Sequence, residues 1–413
     1  MSNRNYHEQA NGCDTSKTGL ANNSKPVMED KQIVSCNQCI LTSKEDPNLV
    51  LDEKGICNYC HLYLDEVKLQ IKTGKEGEDL LNNTIAKIKD YAKNKNYDCL
   101  IGISGGVDSS YVAYLAHKAG LRALCVHFDN GWNSELAVAN IENIVSKLGF
   151  DLYTYVINWE EFKDLQLAYL KASVVDIEVL SDHAIHAAMF KIAKQNDIRY
   201  VLGGHNVVTE GILPYHWTYK KHDYVNIKSI HKKYGTVRLK TYPFLDRQMK
   251  SFIKNSGLEF VNYLNWVPYI KDDVKLLLQK ELNWKDYGGK HYESIWTRFY
   301  QGYILPVKFG IDKRTAHLSA LICSGQITRQ AALEQMKEKP YDPAMQEQDL
   351  HFVLKKLGLS REEWETIMNT APKSHKDFDV EGSLMHYYPF LKPIKPLWNL
   401  VKKITGYSYK NHV

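Results

Sequence analysis

The sequence has no long apolar run, and none of its stretches approaches the roughly 20 apolar residues that a membrane-spanning helix needs. The first residues, MSNRNYHEQANGCDTSK, lack the apolar core of a secretory signal peptide. A strong excess of one charge is also missing, since the net charge is only +5, whereas a nucleic-acid-binding domain carries a clustered basic face. We expect a cytoplasmic protein with no transmembrane segment and no nucleic-acid partner. A peripheral position at the inner membrane face stays open.

The cytoplasm keeps thiols reduced, so the eight cysteines are expected to be metal ligands, buried residues or nucleophiles rather than disulfides. Hydrophobic residues make up 44% of the 413 residues and charged residues 24%. This composition is typical of a globular protein, and the chain is long enough to bury a full core. Collagen-like, coiled-coil and wholly disordered classes are therefore excluded.

Changes in composition divide the chain into four predicted segments. Residues 1–32 are polar and have no apolar period, which indicates a disordered tail. Residues 33–64 form a compact cysteine-containing segment, and residues 65–245 alternate short apolar runs with helical patterns. Residues 246–413 are mainly helical and aromatic, and they end in a run rich in Pro, aromatics and Lys. That run either packs as a strap on the surface or docks a partner or a membrane.

The segment 65–245 predicts the fold class. Strands are expected at 98–103, 121–127, 152–157 and 200–202, with helices at 109–119, 135–148 and 182–195. Strand–helix repetition with short buried strands builds a parallel sheet that is covered on both faces. The prediction is an α/β fold, a doubly wound parallel sheet, with the cysteine segment before it and a helical region after it.

The run Ser104-Gly105-Gly106-Val107-Asp108-Ser109 lies where the first strand ends and the first helix begins. A helix N-terminus offers free N–H groups to an anion, and glycines let the backbone approach a phosphate closely. Asp108 would repel a bare phosphate, so it indicates a bound cation such as Mg²⁺. The run resembles the SGGxDS loop of the PP-loop ATPases, which implies ATP and cleavage between its α and β phosphates. A Gly-rich turn that binds nothing is the alternative.

Other strand ends at the same edge of the sheet are expected to complete the nucleotide site. Asp129 follows the second strand and is a candidate for contact with a ribose hydroxyl or the substrate. After the fourth strand, Gly203 and Gly204 let a nucleotide lie close, and His205 and Asn206 are candidate substrate contacts. Turns also favour Asn, Asp and Gly, so a structural role stays open at each of these positions.

Two CxxC pairs, Cys36 with Cys39 and Cys57 with Cys60, flank residues 40–56. Two such pairs predict a tetrahedral zinc site, so residues 33–64 are expected to form a small zinc ribbon. Four thiolates leave no open coordination position, so the zinc would be structural. An iron–sulfur cluster and unbound thiols are the alternatives.

The region 287–334 is too rich in polar and charged side chains for a simple packing segment. Cations there could neutralise phosphates or a carboxylate. The candidate catalytic residues, besides Asp108, are Lys308, Lys313 and Arg314, and the candidate substrate contacts are Arg298, Asp312 and His317. A solvated basic face is the alternative.

The cysteine pairs, the phosphate loop, the run Phe128-Asp-Asn-Gly-Trp132 and the run Lys308-Phe-Gly-Ile-Asp-Lys-Arg314 together resemble the N-acetyl sugar amidotransferases of the PseA/WbpG type. The resemblance extends over residues 33–340. It implies an enzyme that adenylates the amide oxygen of an N-acetyl group on a nucleotide-linked sugar, with release of pyrophosphate. Ammonia then attacks the carbon, which yields an acetamidino group and AMP. The implied context is bacterial lipopolysaccharide, O-antigen or flagellin glycan synthesis.

A source of ammonia is not recognisable in the sequence. Glutamine hydrolysis needs a nucleophilic cysteine, but the chain begins Met-Ser and contains no Gly-x-Cys-x-Gly elbow. We therefore expect a separate glutaminase subunit similar to that of imidazole-glycerol-phosphate synthase, with a cyclase-like subunit that could pass ammonia across. In isolation the protein could use free ammonium.

Three other functions stay open. A tRNA-modifying PP-loop enzyme would share the adenylation step, but the modest net charge and the lack of a cysteine pair in the sheet disfavour it. Asparagine- or NAD-synthetase-like activity is a second alternative. A non-enzymatic zinc-ribbon adaptor is the third, and the intact Asp108 and both loop serines argue against it.

Overall fold

A computed structural model describes residues 33–289 and 292–382. Residues 34–379 form one compact unit, and residues 1–32 and 383–413 lie outside the described residues. The predicted tail 1–32 and the final run rich in Pro, aromatics and Lys therefore lie outside the described residues. Over the part of the chain that the structure describes, no helix has both the length and the apolar character to cross a bilayer.

One parallel sheet forms the centre of the compact unit. Its strands are β1 (Cys99–Gly102), β2 (Ala123–Asp129), β3 (Asp151–Val156), β4 (Tyr200–Gly203) and β5 (Glu259–Asn262). They lie in the order β3-β2-β1-β4-β5. In register, Ile101 on β1 pairs with both Cys125 on β2 and Leu202 on β4. The predicted parallel α/β fold is confirmed.

Helices connect the strands and cover the sheet. Before β5 they are α1 (Asn58–Gln70), α2 (Gly74–Tyr91), α3 (Val107–Lys118), α4 (Glu135–Leu148), α5 (Trp159–Ala172), α6 (Val179–Gln195), α7 (Val207–Glu210), α8 (Tyr224–Tyr234) and α9 (Arg247–Asn255). After β5 they are α10 (Lys271–Leu282), α11 (Ile295–Phe299), α12 (Lys313–Cys323), α13 (Arg329–Lys337), α14 (Pro343–Leu357) and α15 (Arg361–Asn369). A π-helical segment, Tyr300–Phe309, joins α11 to the loop before α12. It contains Pro306, which lacks the N–H of a regular helical ladder.

The two faces of the sheet pack against different helices because side chains alternate along each strand. Cys99 and Ile101 point into one apolar cluster that includes residues of α3, α4 and α10. Leu100 points to the opposite face, where it packs with residues of α6. The central strands are thus buried on both sides, which explains their continuous apolar sequences.

The order of the strands creates a switch point between β1 and β4. The chain builds β1, β2 and β3 outward in one direction, and it then returns to place β4 on the other side of β1. Ligands of open α/β sheets bind in the crevice at such a point, beyond the carboxyl ends of the strands. The phosphate loop follows β1 and the Gly203–Gly204 pair follows β4, so both border this crevice.

The sheet extends further along the chain than the sequence indicated. We placed the boundary between the sheet domain and the helical region at residue 245, but β5 lies at Glu259–Asn262 and pairs with β4 along its whole length. The sequence does not indicate this strand because Glu-Phe-Val-Asn is short and carries a polar residue at each end. The region after β5 is helical, as predicted.

Candidate ATP and substrate site

The phosphate loop makes a sharp turn between β1 and α3. Gly105 has φ +77°, a left-handed conformation that favours glycine, and an added Cβ would lie 2.5 Å from the Ala137 carbonyl oxygen. The Gly106 N–H donates to Ser104 Oγ at 3.2 Å, and the Ser104 N–H donates to Ser109 Oγ at 3.3 Å. Both hydroxyls and the first turn of α3 therefore surround one concave turn, which suits a phosphate.

Aromatic residues from beyond β5 hold this loop. The Trp284 indole N–H donates to the Gly105 carbonyl oxygen at 2.8 Å. The Val107 N–H donates to the Tyr287 hydroxyl at 3.2 Å. Burial and nearby Glu293 raise the pKa of Tyr287, so its hydroxyl stays protonated and can donate in turn. Neither residue was a sequence candidate. The Tyr-Gly-Gly turn signal at 287–289 was the only local sign of a close backbone approach there.

Asp108 lies on the first turn of α3 between two hydrogen-bond donors. The Tyr269 hydroxyl donates to the Asp108 carboxylate, and Asn206 Nδ2 donates to the same oxygen at 3.3 Å. Burial and the Asp108 charge raise the pKa of Tyr269, so it remains a neutral donor. These contacts orient a carboxylate beside the phosphate loop. A carboxylate so placed would hold Mg²⁺, which prefers oxygen ligands and substrate phosphates.

The other predicted nucleotide contacts border the same crevice. An added Cβ at Gly204 would lie 3.2 Å from the backbone of Asp108 and Ser109, so its small size lets β4 and α3 approach closely. Gly203 ends β4 and has room, since the nearest atom to an added Cβ is Asn262 Oδ1 at 3.5 Å. Asp129 accepts hydrogen bonds from the Gly131 N–H at 2.8 Å and from the Asn133 side chain at 3.2 Å. These contacts fix the turn after β2, and its nucleotide contact stays a prediction.

A cavity of about 370 Å³ opens beside the crevice. It extends from the end of β4 to the N-terminus of α12, and Gln301 and Gly302 of the π-helical segment also line it. Six of the sequence candidates meet in its wall although they come from distant parts of the chain: His205, Arg298, Asp312, Lys313, Arg314 and His317. Asn206, next to His205, links this wall to Asp108.

Acidic partners hold the cations of the cavity in place. Arg298 makes two hydrogen bonds to Asp349, at 2.6 and 2.8 Å, and Arg314 pairs with Asp312 at 2.7 Å. Bidentate pairs of this kind fix the orientation of the guanidinium plane. Lys313 is held less tightly, because its ammonium lies 3.8 Å from Glu178.

Lys308 lies apart from the cavity wall and has a structural environment. Its ammonium donates to the carbonyl oxygens of Ile367, Met368 and Thr370 at the C-terminal end of α15. Carbonyls at a helix end lack intrahelical partners and attract a cation. The structure therefore places Lys308 as a cap of α15, and its catalytic role stays a prediction.

The four cysteines of the N-terminal segment converge as predicted. Their ligand atoms all lie within 4.8 Å of one another. Backbone N–H groups of Gln38 and Cys57 point at Cys36 Sγ, at 3.4 and 3.3 Å. Four buried thiols with such donors fit a tetrahedral Zn²⁺, in which N–H groups offset the charge of the thiolates.

The cysteine cluster is attached to the helices behind the cavity. Arg329 donates to the Cys39 carbonyl oxygen at 3.0 Å, and the Ile40 N–H lies 3.4 Å from Ser319 Oγ on α12. Cys323, at the end of α12, places its sulfur 3.6 Å from Cys60 Sγ. A metal bound by the cysteines would therefore brace α12, whose N-terminal turn lines the cavity.

Two families match this chain over separate regions. Residues 80–234 match the NAD synthase family, and residues 293–392 match the family described as "LPS biosynthesis protein WbpG-like, C-terminal domain". The parallel sheet, its phosphate loop and the first match define a PP-loop enzyme that uses ATP. The second match covers five of the six candidates in the cavity wall. Residues 80–234 are thus similar to a PP-loop domain of the NAD synthase type, and residues 293–392 are similar to a WbpG-like C-terminal domain.

Curated relatives match shorter stretches. The GMP synthase [glutamine-hydrolyzing] of Vibrio cholerae serotype O1 is 44% identical over 55 residues, which is 13% of this chain and 10% of that protein. The probable tRNA sulfurtransferase of Listeria welshimeri is 28% identical over 114 residues, which is 27% of this chain and 28% of that protein. The chain thus spans only a small part of these relatives.

Among solved structures, the NMN synthetase from Francisella tularensis aligns with 70% of this chain and 98% of its own, at 15% identity and a TM-score of 0.36. The NH3-dependent NAD synthetase from Campylobacter jejuni covers 69% of this chain and 97% of its own, at 15% identity and a TM-score of 0.30.

Proposed function

We propose that this protein is an ATP-dependent amidotransferase that converts the N-acetyl group of a nucleotide-linked sugar into an acetamidino group. The proposed context is bacterial lipopolysaccharide, O-antigen or flagellin glycan synthesis, and the WbpG-like match supports it. The observation that carries the proposal is the cavity: it joins charged residues of the WbpG-like region to His205, beside the phosphate loop. A sugar amide in this cavity would lie next to the site of adenylation.

The residues of the crevice serve the first step. The N–H groups at the start of α3, with Ser104 and Ser109, stabilise charge on pyrophosphate as it departs. Asp108 would hold Mg²⁺, which neutralises phosphate charge when it is bound. Adenylation makes the amide oxygen a good leaving group, and ammonia can then displace it from an otherwise unreactive carbon.

The residues of the cavity serve substrate binding. Lys313, held at 3.8 Å from Glu178, can move toward the anionic carrier of the sugar. Arg298 and Arg314, each fixed by a carboxylate, present guanidinium edges of defined direction to substrate oxygens. We assign ammonia supply to a separate glutaminase subunit, with a cyclase-like subunit as a possible channel, and we place the protein in the cytoplasm.

The sheet lacks thiols suited to sulfur transfer, which argues against tRNA thiolation. Cys99 and Cys125 are fully buried within β1 and β2. Burial raises the pKa of Cys125 to about 12 and that of Cys99 further. Neither thiol can form a reactive thiolate near neutral pH.

The direct test supplies ATP, Mg²⁺, ammonium and a diacetamido nucleotide sugar, with an isotopic oxygen label in the acetyl groups. We expect AMP and pyrophosphate, a sugar in which NH replaces oxygen, and the label in AMP. Mass spectrometry of both products follows the label. The Asp108→Asn variant should lose the reaction, and the exposed His351→Gln on α14 is the matched control.

Two other outcomes of this test would contradict the proposed function. AMP formation without a change in the sugar would contradict the sugar substrate and direct attention to other amides or to tRNA. If no ATP is cleaved even when glutaminase and glutamine are also supplied, the result would contradict an ATP-dependent enzyme. It would favour the non-enzymatic zinc-ribbon adaptor.

A further inference from the structure

His205 and Glu210 form a pair at the boundary between crevice and cavity. His205 Nδ1 lies 3.1 Å from Glu210 Oε2, and both residues line the cavity. The chain neighbours of His205 on either side contact the loop: Gly204 packs against the backbone of Asp108, and Asn206 donates to the Asp108 side chain. His205 is therefore flanked in the chain by two residues that contact the phosphate loop, and it lines the proposed sugar site.

Attack by ammonia needs a proton acceptor at this place. The nitrogen that attacks the adenylated carbon becomes positively charged, and it must lose a proton before the amidine can form. A neutral imidazole with one nitrogen directed at a carboxylate suits this task, since a proton on Nδ1 leaves the Nε2 lone pair as the acceptor. The Glu210 carboxylate then stabilises the imidazolium that results.

We propose that His205 is the general base of the amination step and that Glu210 positions it. This inference rests on the proposed function and adds a role that the cavity alone does not specify. In the step, a C–N bond forms between ammonia and the adenylated carbon, and one N–H proton passes to His205 Nε2. The C–O bond then breaks, its electron pair leaves with AMP, and the proton is released to solvent.

Among the described residues, His317 is the other histidine that lines the cavity, so it competes with His205 for this role. Its Nδ1 lies 3.1 Å from the Thr209 carbonyl oxygen rather than from a carboxylate. Other charged groups facing the same space are Glu210 on α7, Arg298 on α11, and Asp312, Lys313 and Arg314 at the start of α12. Among the described residues that line the cavity, Asp312 is the other acidic group besides Glu210, and it pairs with Arg314.

The experiment separates the two half-reactions in the full-length enzyme. Exchange of labelled pyrophosphate into ATP, in the presence of the sugar, reports adenylation, and acetamidino-sugar formation with ammonium reports the whole reaction. His205→Ala should lower the whole reaction by about 100-fold or more, in line with the loss of a general base, and lower exchange far less. Added imidazole should restore a measurable part of the lost rate, which a structural role would not allow.

The comparison variants make the result decisive. Glu210→Gln alone should reduce amination less than His205→Ala does. Combined with His205→Ala, it should leave the dependence on added imidazole unchanged. Equal loss of exchange and amination in His205→Ala, or no rescue by imidazole, would overturn the proposal. So would a selective amination defect in His317→Ala that imidazole rescues while His205→Ala remains active. If wild-type enzyme forms no acetamidino sugar, the proposed function itself fails, and the wild-type reaction shows this before any variant is read.

Discussion

The indole N–H of Trp284 donates a hydrogen bond to the carbonyl oxygen of Gly105 at 2.8 Å. Trp284 follows α10, and it reaches the phosphate loop from outside the strand–helix units that build the first four strands. Asn140 on α4 supports the same arrangement, because its side chain accepts a hydrogen bond from the Lys285 N–H at 2.8 Å. The chain after β5 therefore shapes the phosphate loop as well as lining the cavity.

Replacement of Gly105 by alanine is expected to abolish tight ATP binding. The left-handed backbone costs an L-residue about 1–2 kcal/mol, and the new Cβ would lie 2.5 Å from the Ala137 carbonyl oxygen. The loop must shift to relieve this clash, which moves its N–H groups away from the phosphates. We expect ATP affinity, measured by calorimetry, to fall at least about 10-fold, equivalent to 1.4 kcal/mol.

Gly149→Ala is the matched control for that variant. Gly149 ends α4 with φ +67°, but no atom lies within 4 Å of an added Cβ. It should lose about 1 kcal/mol of unfolding free energy from the backbone alone and keep its ATP affinity. Equal loss of ATP affinity in both variants would contradict the assigned role of the loop.

The cysteine cluster is expected to bind one zinc ion per chain. Cys57→Ser should lower the zinc content, measured by elemental analysis of purified protein, and reduce the free energy of unfolding. The loss should be about 3 kcal/mol or more. Metal binding contributes this much when the free metal concentration is about 100 times Kd. Detachment of the ribbon should also loosen α12, visible as faster amide exchange there.

Cys323→Ser provides the control for the zinc experiment. Cys323 lies 3.6 Å from Cys60 Sγ but is not one of the four converging ligands. Its replacement should leave the zinc content unchanged. Zinc loss in Cys323→Ser but not in Cys57→Ser would show that the ligand set is wrong, and iron with acid-labile sulfide would identify a cluster.

Substitutions of Lys308 and Lys313 should affect different properties: Lys308 the stability of the fold, and Lys313 the binding of the sugar substrate. Lys308→Met leaves three carbonyl oxygens at the end of α15 without their cation, so we expect a loss of about 1–3 kcal/mol in unfolding free energy with little effect on KM. Lys313→Met should stay within about 0.5 kcal/mol of wild type and raise KM for the nucleotide sugar. Chemical denaturation and initial-rate kinetics on both variants check this, and the reverse pattern would restore Lys308 as a site residue.

Acid is expected to destabilise the fold through His183. Its ring is buried, with Nδ1 2.8 Å from the Lys221 carbonyl oxygen and Nε2 accepting the Leu245 N–H at 2.8 Å. Burial lowers its pKa from 6.5 to about 4. Between these pH values His183 binds a proton in the unfolded chain but stays neutral in the folded chain. The free energy of unfolding therefore falls as the pH drops from about 6.5 toward 4. The full loss from this group is about 3 kcal/mol.

Urea titrations at several pH values test this expectation. A His183→Gln variant should show a flatter decline of unfolding free energy over that interval, although its stability at neutral pH is lower. His117→Gln, at an exposed position on α3, should keep the slope of the wild type. A wild-type slope in His183→Gln would show that other groups cause the acid sensitivity.

The sequence by itself determined the features whose signals are local. The phosphate loop was recognisable because its glycines, serines and Asp108 lie within one strand–helix turn, where backbone geometry dictates the residue types. The alternation of apolar runs predicted the parallel sheet for the same reason. The two CxxC pairs specified the cysteine cluster because thiolate chemistry and spacing restrict what such pairs can do.

Only the tertiary structure decided which distant residues complete these features. Tyr269, Trp284 and Tyr287 reach the loop across separations of 161, 179 and 180 residues. Lys308 and Lys313 are equivalent as sequence candidates, yet one caps α15 and the other lines the cavity. The reason is physical: local propensity depends on near neighbours, whereas the partner of a side chain depends on how the packed helices return the chain to the sheet.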